Sequence, residues 1–447
     1  MFYNRAISEI EENGKKITLL TLSVPLLLEN LFLQLYSTAN TLLLKGYSES
    51  TVTATAVSET VIGICTVLMT LIINGAVILT SFSLGKKDRS EAAKIAGTAC
   101  VTVFAFSLFL GLTVAAFSNF LVHAMQLTEE LADIAAGYLT VRALFFPIMG
   151  LMSCFNNLLI CNGYTKNTMV VGLGSNVLNI MFCYIFLYTD ISLPFEGVTA
   201  VAVANLISQA CGLAMAIMFF VKNRCPFVPY FNKRFLGKIM VLGIPGGMCQ
   251  LSFSLSQTVT TGFTVVLGES IVNAKVYIYN IVMYTSRISI ALGKATGILM
   301  GRYRGSGQID MVKQLFRQNV FIAVMCNTAL SLLAFCFCKP LISLFTDSVD
   351  IVALAIPIMF IDILIELCRG VNHISENSLN ANGDVRATFL ISVFSTWIFG
   401  VLLAYLFGIT MGMGLVGIWI AFAADEMFRT VAYLTRWKKG VWKEKEI

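Results

Sequence analysis

Asp362, Glu366, Arg369, His373 and Glu376 follow one another at spacings of four, three, four and three residues, and Asn380 continues the series. Residues so spaced lie on one face of an α-helix. At 1.5 Å per residue the row covers about 27 Å, close to the bilayer hydrocarbon thickness of about 30 Å. An ionised side chain at the bilayer centre costs about 2.5–3.5 kcal/mol on insertion scales, so the row must face water or other protein groups. Two chemistries fit it. One is a structural network, with Glu366 paired to Arg369 and Glu376 to a basic residue of another helix. The other is a translocation route, in which Asp362 and Glu366 exchange a cation, Arg369 is their counter-charge and switch element, and His373 and Glu376 extend the path inward. Two carboxyls one turn apart suit a pair that takes up and releases a proton.

Further polar rows accompany this one. Tyr277, Asn280, Tyr284, Arg287 and Lys294 recur at helical spacing, and Ser252, Ser254, Ser256, Gln257, Thr260 and Thr261 give the preceding segment a polar face. Hydroxyl residues in membrane helices also serve as packing contacts, so this face alone does not specify a site. The first half offers Glu29, Gln34, Tyr36 and Asn40, then Glu59, and later Asn156, Asn157, Asn176 and Asn179. A substrate cavity is expected to draw on Gln257, Tyr277, Asn280, Tyr284, Arg287, Lys294, Gln34, Tyr36, Asn40 and Asn157. Glu29 is read either as a partner for Arg142 or other polar groups, or as a coupling acid. Asp362, Glu366 and Glu376 nearly cancel Arg287, Lys294 and Arg369, which argues against a strongly anionic trap for organic cations.

The elements that must position these residues are membrane helices. Hydrophobic residues form 57% and charged residues only 13% of the 447-residue chain, too apolar a balance for a water-soluble surface. Apolar runs at 17–44, 53–84, 95–117, 133–161, 169–189 and 197–221, then 239–267, 272–301, 318–338, 350–381, 387–408 and 412–435, predict twelve transmembrane helices. Runs of this length exclude a β-barrel. The chain also repeats at an offset of 220: Pro25 with Pro245, Gly85 with Gly305, and Asn162-Gly163-Tyr164-Thr165-Lys166-Asn167-Thr168 with Asn382-Gly383-Asp384-Val385-Arg386-Ala387-Thr388. The expected fold is therefore an all-α polytopic membrane protein with two homologous six-helix lobes around a central cavity: residues 1–221, a cytoplasmic linker 222–238, and 239–447 with a short basic tail.

Lys and Arg crowd alternate loops, including Arg5, Lys15 and Lys16, the Lys86–Lys94 stretch and the Arg436–Lys445 tail, whereas 118–132 and 189–196 hold none. Both termini are thus expected on the cytoplasmic side of the cytoplasmic membrane. The net charge of +6 is topological, with no nucleic-acid partner implied. No cleavable signal peptide is evident. The 12 cysteines fall mostly in apolar helices as small hydrophobes, and no metal site is expected. Gly412, Gly414 and Gly417 spell G-x-G-x-x-G, but no strand precedes them. Neither a P-loop nor a hydrolase motif occurs, so no enzyme activity and no cofactor are expected, and any energy source must come from elsewhere than ATP hydrolysis.

Several segments together resemble the multidrug and toxic compound extrusion (MATE) transporters over essentially the whole chain. They are Leu31-Phe32-Leu33-Gln34-Leu35-Tyr36-Ser37-Thr38-Ala39-Asn40, Gly85-Lys86-Lys87-Asp88-Arg89, Asn162-Gly163, Asn176 to Asn179, and Gly414-Leu415-Val416-Gly417-Ile418-Trp419. The resemblance implies a V-shaped pair of lobes that rock to export small organic molecules in antiport with H+ or Na+. Where many members of that family place first-lobe aspartates, this chain has Asn40 and Cys183, and no acid stands near Phe253 or Ser254. Coupling is accordingly expected in the second lobe. The alternatives are a flippase for lipid-linked precursors of the same superfamily and, remotely, an intramembrane enzyme. The expected partners are a small-molecule substrate and membrane lipid, with the chain acting as a monomer.

Overall fold

Long apolar runs interrupted only by short polar turns can satisfy their backbone groups in a bilayer by coiling into helices, and that is what the chain does. The structure, a computed structural model, describes residues 9–12, 15–47, 49–123, 125, 129–189, 197–346 and 348–445. Arg5, and most of the expected external loop 189–196, lie outside the described residues. The helices are α1 (Leu19–Tyr47), α2 (Glu49–Gly85), α3 (Arg89–Ala116) with the short α4 (Ser118–His123), α5 (Glu129–Leu144), α6 (Phe146–Cys161), α7 (Thr165–Tyr188) and α8 (Gly197–Lys222). The second half gives α9 (Lys233–Leu267), α10 (Glu269–Gly305), α11 (Ile309–Cys336) with the short α12 (Cys338–Ser343), and α13 (Val349–Ala381). There follow α14 (Val385–Ser395), carried on through two π-helical stretches around α15 (Leu403–Tyr405), and α16 (Gly414–Lys439). A two-stranded hairpin, β1 (Glu9–Glu12) with β2 (Lys15–Thr18), precedes α1 and was not expected from the sequence.

Among the described residues nine helices are long and apolar enough to cross a membrane, and α5 with α6 forms one further span bent by 51°. Pro147 explains the break: it occupies the first turn of α6, where a missing N–H costs nothing but continuation of α5 through it would. The long helices α10 and α16 complete twelve spans in two sets of six. Both carry several charged residues, α10 with Lys275, Arg287 and Lys294 and α16 with Asp425, Glu426 and Arg429, and both pack against α13, the helix carrying the charged row. Polar spans are tolerated where protein, rather than lipid, surrounds them.

The repeat seen in the sequence recurs as backbone geometry. Gly163 and Gly383 take φ values of 79° and 84°, left-handed conformations that glycine adopts without a Cβ penalty. Each closes the same turn, with Gly163 N–H donating to the Ile160 carbonyl at 2.9 Å and Gly383 N–H to the Asn380 carbonyl at 3.0 Å. The preceding asparagines repeat too, Asn162 Nδ2 reaching the Leu158 carbonyl at 2.8 Å and Asn382 Nδ2 the Ser378 carbonyl at 2.7 Å.

The chain divides into two compact units, Val24–Ile244, and Pro245–Ile447 together with the segment ending at Ser23. The division falls inside α1 and α9, beside the repeat-related prolines Pro25 and Pro245. Within the first unit, α2 and α9 cross glycine on glycine: a Cβ on Gly75 would strike the Ile239 carbonyl, and one on Gly243 the Leu71 carbonyl. Such contacts let membrane helices approach closely. The segment between α8 and α9 is pinned to α3, with Arg89 Nη2 donating to the Arg224 carbonyl at 2.8 Å and Val228 N–H to the Ala93 carbonyl at 3.3 Å. In the second unit the core lies between α10, α13 and α16, around Ile278, Val282, Ile358, Ile365, Ile418 and Trp419.

Candidate functional site

On α13 the 3–4 spacing turns Asp362, Glu366 and Arg369 toward neighbouring helices, as the sequence requires. Asp362 is 2% and Glu366 0% exposed, so neither reaches lipid. Glu366 is saturated by donors: Ser286 Oγ of α10 donates to Oε1 at 2.5 Å, Arg369 Nη1 to the same oxygen at 2.7 Å, and Asn327 Nδ2 of α11 to Oε2 at 2.9 Å. Arg369 then bridges to a second acid, its Nε donating to Glu426 Oε1 of α16 at 3.2 Å. One guanidinium is thus held between two buried carboxylates on different helices, geometry in which charge-assisted hydrogen bonds are strong.

Glu426 belongs to a second charged centre. Asn372 Nδ2 donates to its Oε2 at 2.7 Å and to its backbone carbonyl at 2.9 Å, and Arg429 lies 3.6 Å from Oε1. Arg429 also forms a two-point ion pair with Asp425, which accepts from Ser395 Oγ of α14 at 2.5 Å. Ser395 is the last α-helical residue before the π-helical stretch Thr396–Leu402, the kind of widening that frequently marks functional sites. Thr430 ties the centre back to α13 by donating to Asn372 Oδ1 at 3.0 Å.

The rest of the row is more open. His373 and Glu376 are half-buried, and no hydrogen bond joins either side chain to another described residue; Glu376 lies in the fields of Arg429 and Glu426. Asp362 sits beside the Trp419 indole, within reach of the charges of Glu366 and Arg369, and its Oδ1 is buried without a partner among the described residues. The Asn327 Oδ1 and Thr328 Oγ1 acceptors are buried and unpartnered in the same sense. The carboxyls of Asp362, Glu366, Glu376, Asp425 and Glu426 therefore outnumber the guanidiniums of Arg369 and Arg429.

The other expected residues distribute differently. On α10 it is the face of Ser286, Gly293 and Gly297 that meets α13, with a Cβ on Gly293 brought within 2.9 Å of the His373 carbonyl. Tyr284 and Lys294 are exposed, Arg287 and Asn280 half-buried, and Tyr277 stacks on Phe345 at 5.5 Å, so this row stands beside the ionic seam rather than in it. On α9, Ser252 accepts from the Trp397 indole at 2.9 Å, while Gln257 offers its backbone carbonyl to Thr260 and Thr261. In the first unit Tyr36 donates to Asn179 Oδ1 at 2.6 Å, and Asn179 Nδ2 to Ser208 at 3.2 Å. Asn157 caps the Ser153 carbonyl at 2.9 Å, Asn40 Oδ1 is buried without a described partner, and Gln34 is half-buried. Arg142 pairs with Glu59 at 3.1 Å rather than with Glu29, because α5 packs on α2.

Sequence reasoning passed over Asp425, Glu426, Arg429, Ser286 and Asn327. For the first three a signal was available: two adjacent acids, followed by an arginine one turn on, in the middle of the run 412–435. A lone serine or asparagine in a membrane helix carries no such signal.

Comparison with known proteins then decides the family. The MatE family model matches the chain twice, over residues 25–185 and 245–406. The chain belongs to the MatE family. The two matches start at an offset of 220, so the MatE repeat is the one read from the chain itself. Among curated MatE-like relatives, the uncharacterized transporter YisQ of Bacillus subtilis (strain 168) is 34% identical over 437 residues, covering 96% of each chain. The probable multidrug resistance protein NorM of Thermotoga maritima is 24% identical over 452 residues, covering 98% of this chain and 95% of its own. The fold is similar to that of an outward-facing MATE family transporter of the MOP superfamily (TM-score 0.86, 20% identity, 96% of each chain covered). It is also similar to a MOP superfamily transporter from Pyrococcus furiosus Vc1 (TM-score 0.85, 20% identity, 96% of each chain covered). As a MatE protein the chain is a multi-pass membrane transporter, and the α13 side of the ionic seam lies inside the second matched repeat, whereas Asp425, Glu426 and Arg429 lie beyond its end at residue 406.

Proposed function

We propose that this transporter exports small organic molecules across the cytoplasmic membrane in antiport with H+ or Na+, by rocking of two lobes, with coupling centred on Asp362, Glu366 and Arg369. The observation that carries the reading is the surplus of buried carboxyls over guanidiniums around α13. Uncompensated charge is costly in such surroundings, and binding a cation relieves it. Arg369, held by both Glu366 and Glu426, supplies the switch. A cation arriving at Glu366 weakens that acid's hold and leaves the guanidinium to Glu426, shifting the contact from within α13 to between α13 and α16. His373 and Glu376 lie on the more open end of the row and form its entry. The names of relatives such as NorM support a small organic cargo. Charge asymmetry between loops supports cytoplasmic termini, and a single chain suffices in this reading.

Purified protein in liposomes tests it. Movement of ethidium and of a panel of neutral and anionic compounds is followed under a pH gradient and, separately, a sodium gradient. Glu366→Gln and Asp362→Asn are expected to abolish gradient-driven movement while the proteins stay folded. Unchanged driven transport in both variants removes these residues from coupling.

A further inference from the structure

One buried cation of the second unit lies apart from the ionic seam. Lys275, in the second turn of α10, is 5% exposed. Its ammonium donates to Thr261 Oγ1 at 2.9 Å and to Thr260 Oγ1 at 3.4 Å, both on α9. Those hydroxyls are themselves committed as donors, Thr261 to the Gln257 carbonyl at 2.7 Å and Thr260 to the same carbonyl at 3.1 Å. An ammonium has three N–H donors, so one has no acceptor among the described residues, and no described carboxylate neutralises the charge. A lysine this near a helix end ordinarily extends its amine toward the membrane surface. Here the amine stays packed against neutral oxygens, the arrangement that an anionic ligand would complete. Thr260 is 0% exposed and Thr261 is exposed, so the site is walled on one side and open on the other.

We propose that Lys275, positioned by Thr260 and Thr261, binds the carboxylate of an organic acid. The ammonium supplies the counter-charge and its third N–H, the two threonines fix its direction, and the exposed side at Thr261 admits the ligand. Gln257, whose carbonyl anchors both threonines, belongs to the polar row expected at a substrate cavity, so the bound carboxylate lies beside that row. The inference does not depend on how transport is energised.

Equilibrium binding of radiolabelled benzoate to the full-length protein in lipid nanodiscs, without any gradient, tests it. Benzamide serves as the neutral isostere and labelled chloride as the inorganic alternative. Saturable benzoate binding is expected, with no binding of benzamide. Affinity should fall by about tenfold or more, equivalent to about 1.4 kcal/mol, in Lys275→Met. It should persist in Lys275→Arg and weaken in Thr261→Val, a change at an exposed position that leaves the fold intact. Absence of saturable benzoate binding overturns the proposal, as does equal binding by Lys275→Met or binding of chloride alone. Because no gradient is applied, failure here leaves cation coupling at Asp362 and Glu366 untouched, and failure of coupling leaves this site untouched.

Discussion

Arg369 has two acids, and that redundancy predicts a specific non-additivity. In Glu366→Gln the guanidinium keeps Glu426 at 3.2 Å, and in Glu426→Gln it keeps Glu366 at 2.7 Å. The secondary partners are also insured. Asn372 retains the Glu426 backbone carbonyl at 2.9 Å, Asn327 the Glu366 carbonyl at 3.3 Å, and Arg429 its pair with Asp425. Each single change therefore costs about one hydrogen bond to a charged group, about 1.5 kcal/mol. In the double variant the buried guanidinium loses both hydrogen-bonded carboxylates and keeps Ser286 Oγ at 3.1 Å and the unbonded charge of Asp362, and loss of the last ion-paired partner of a buried charge costs about 3–5 kcal/mol. The total of about 4.5–6.5 kcal/mol exceeds the additive value of about 3 by about 1.5–3.5 kcal/mol, a coupling typical of residues sharing one network. Unfolding by SDS titration in mixed micelles of wild type, both single variants and the double variant closes the cycle. Additivity within about 0.5 kcal/mol refutes the bridging role of Arg369.

Other parts of the fold give simpler tests. Gly243→Val should destabilise by about 1–3 kcal/mol or prevent insertion, because the added side chain collides with the Leu71 carbonyl; a thermal midpoint equal to wild type contradicts the close crossing of α2 and α9. Trp442, 1% exposed and stacked on Trp437 at 4.5 Å, anchors the C-terminal segment, so Trp442→Ala should cost about 3 kcal/mol, read as a lowered midpoint of tryptophan fluorescence unfolding. Asp384 accepts from Arg436 at 2.7 and 3.0 Å, and Asp384→Asn should weaken that clamp by about 1–2 kcal/mol; faster tryptic cleavage of the basic tail after Trp437 is the expected readout.

The helices, their repeat and the row on α13 were legible because each is a property of local sequence: apolar length, a glycine that must take positive φ, and spacing of three and four. What the row would meet was not legible, since periodicity tells which residues share a face and nothing of which helix stands opposite. Arg369 and Glu426 are 57 residues apart and Glu366 and Asn327 39 apart, contacts set by packing of α11, α13 and α16. For the same reason helical spacing on α10 sets Arg287 and Lys294 against the charge of the acids, whereas Ser286, one position from Arg287, is the residue that reaches Glu366. The repeat adds a further step. Arg142 stands at the position that an offset of 220 maps onto Asp362, so the two halves hold opposite charges at one place in the shared pattern. Each was stabilised by a different route, Arg142 through Glu59 of α2, and Asp362 by its setting beside Glu366, Arg369 and Trp419. Matching turns at Gly163 and Gly383 fix the backbone in both halves. The ionisable groups hung on that backbone were then able to diverge, which is how one half of a repeated fold can hold a charged seam while the other holds the Arg142–Glu59 pair and a chain of neutral hydrogen bonds through Tyr36, Asn179 and Ser208.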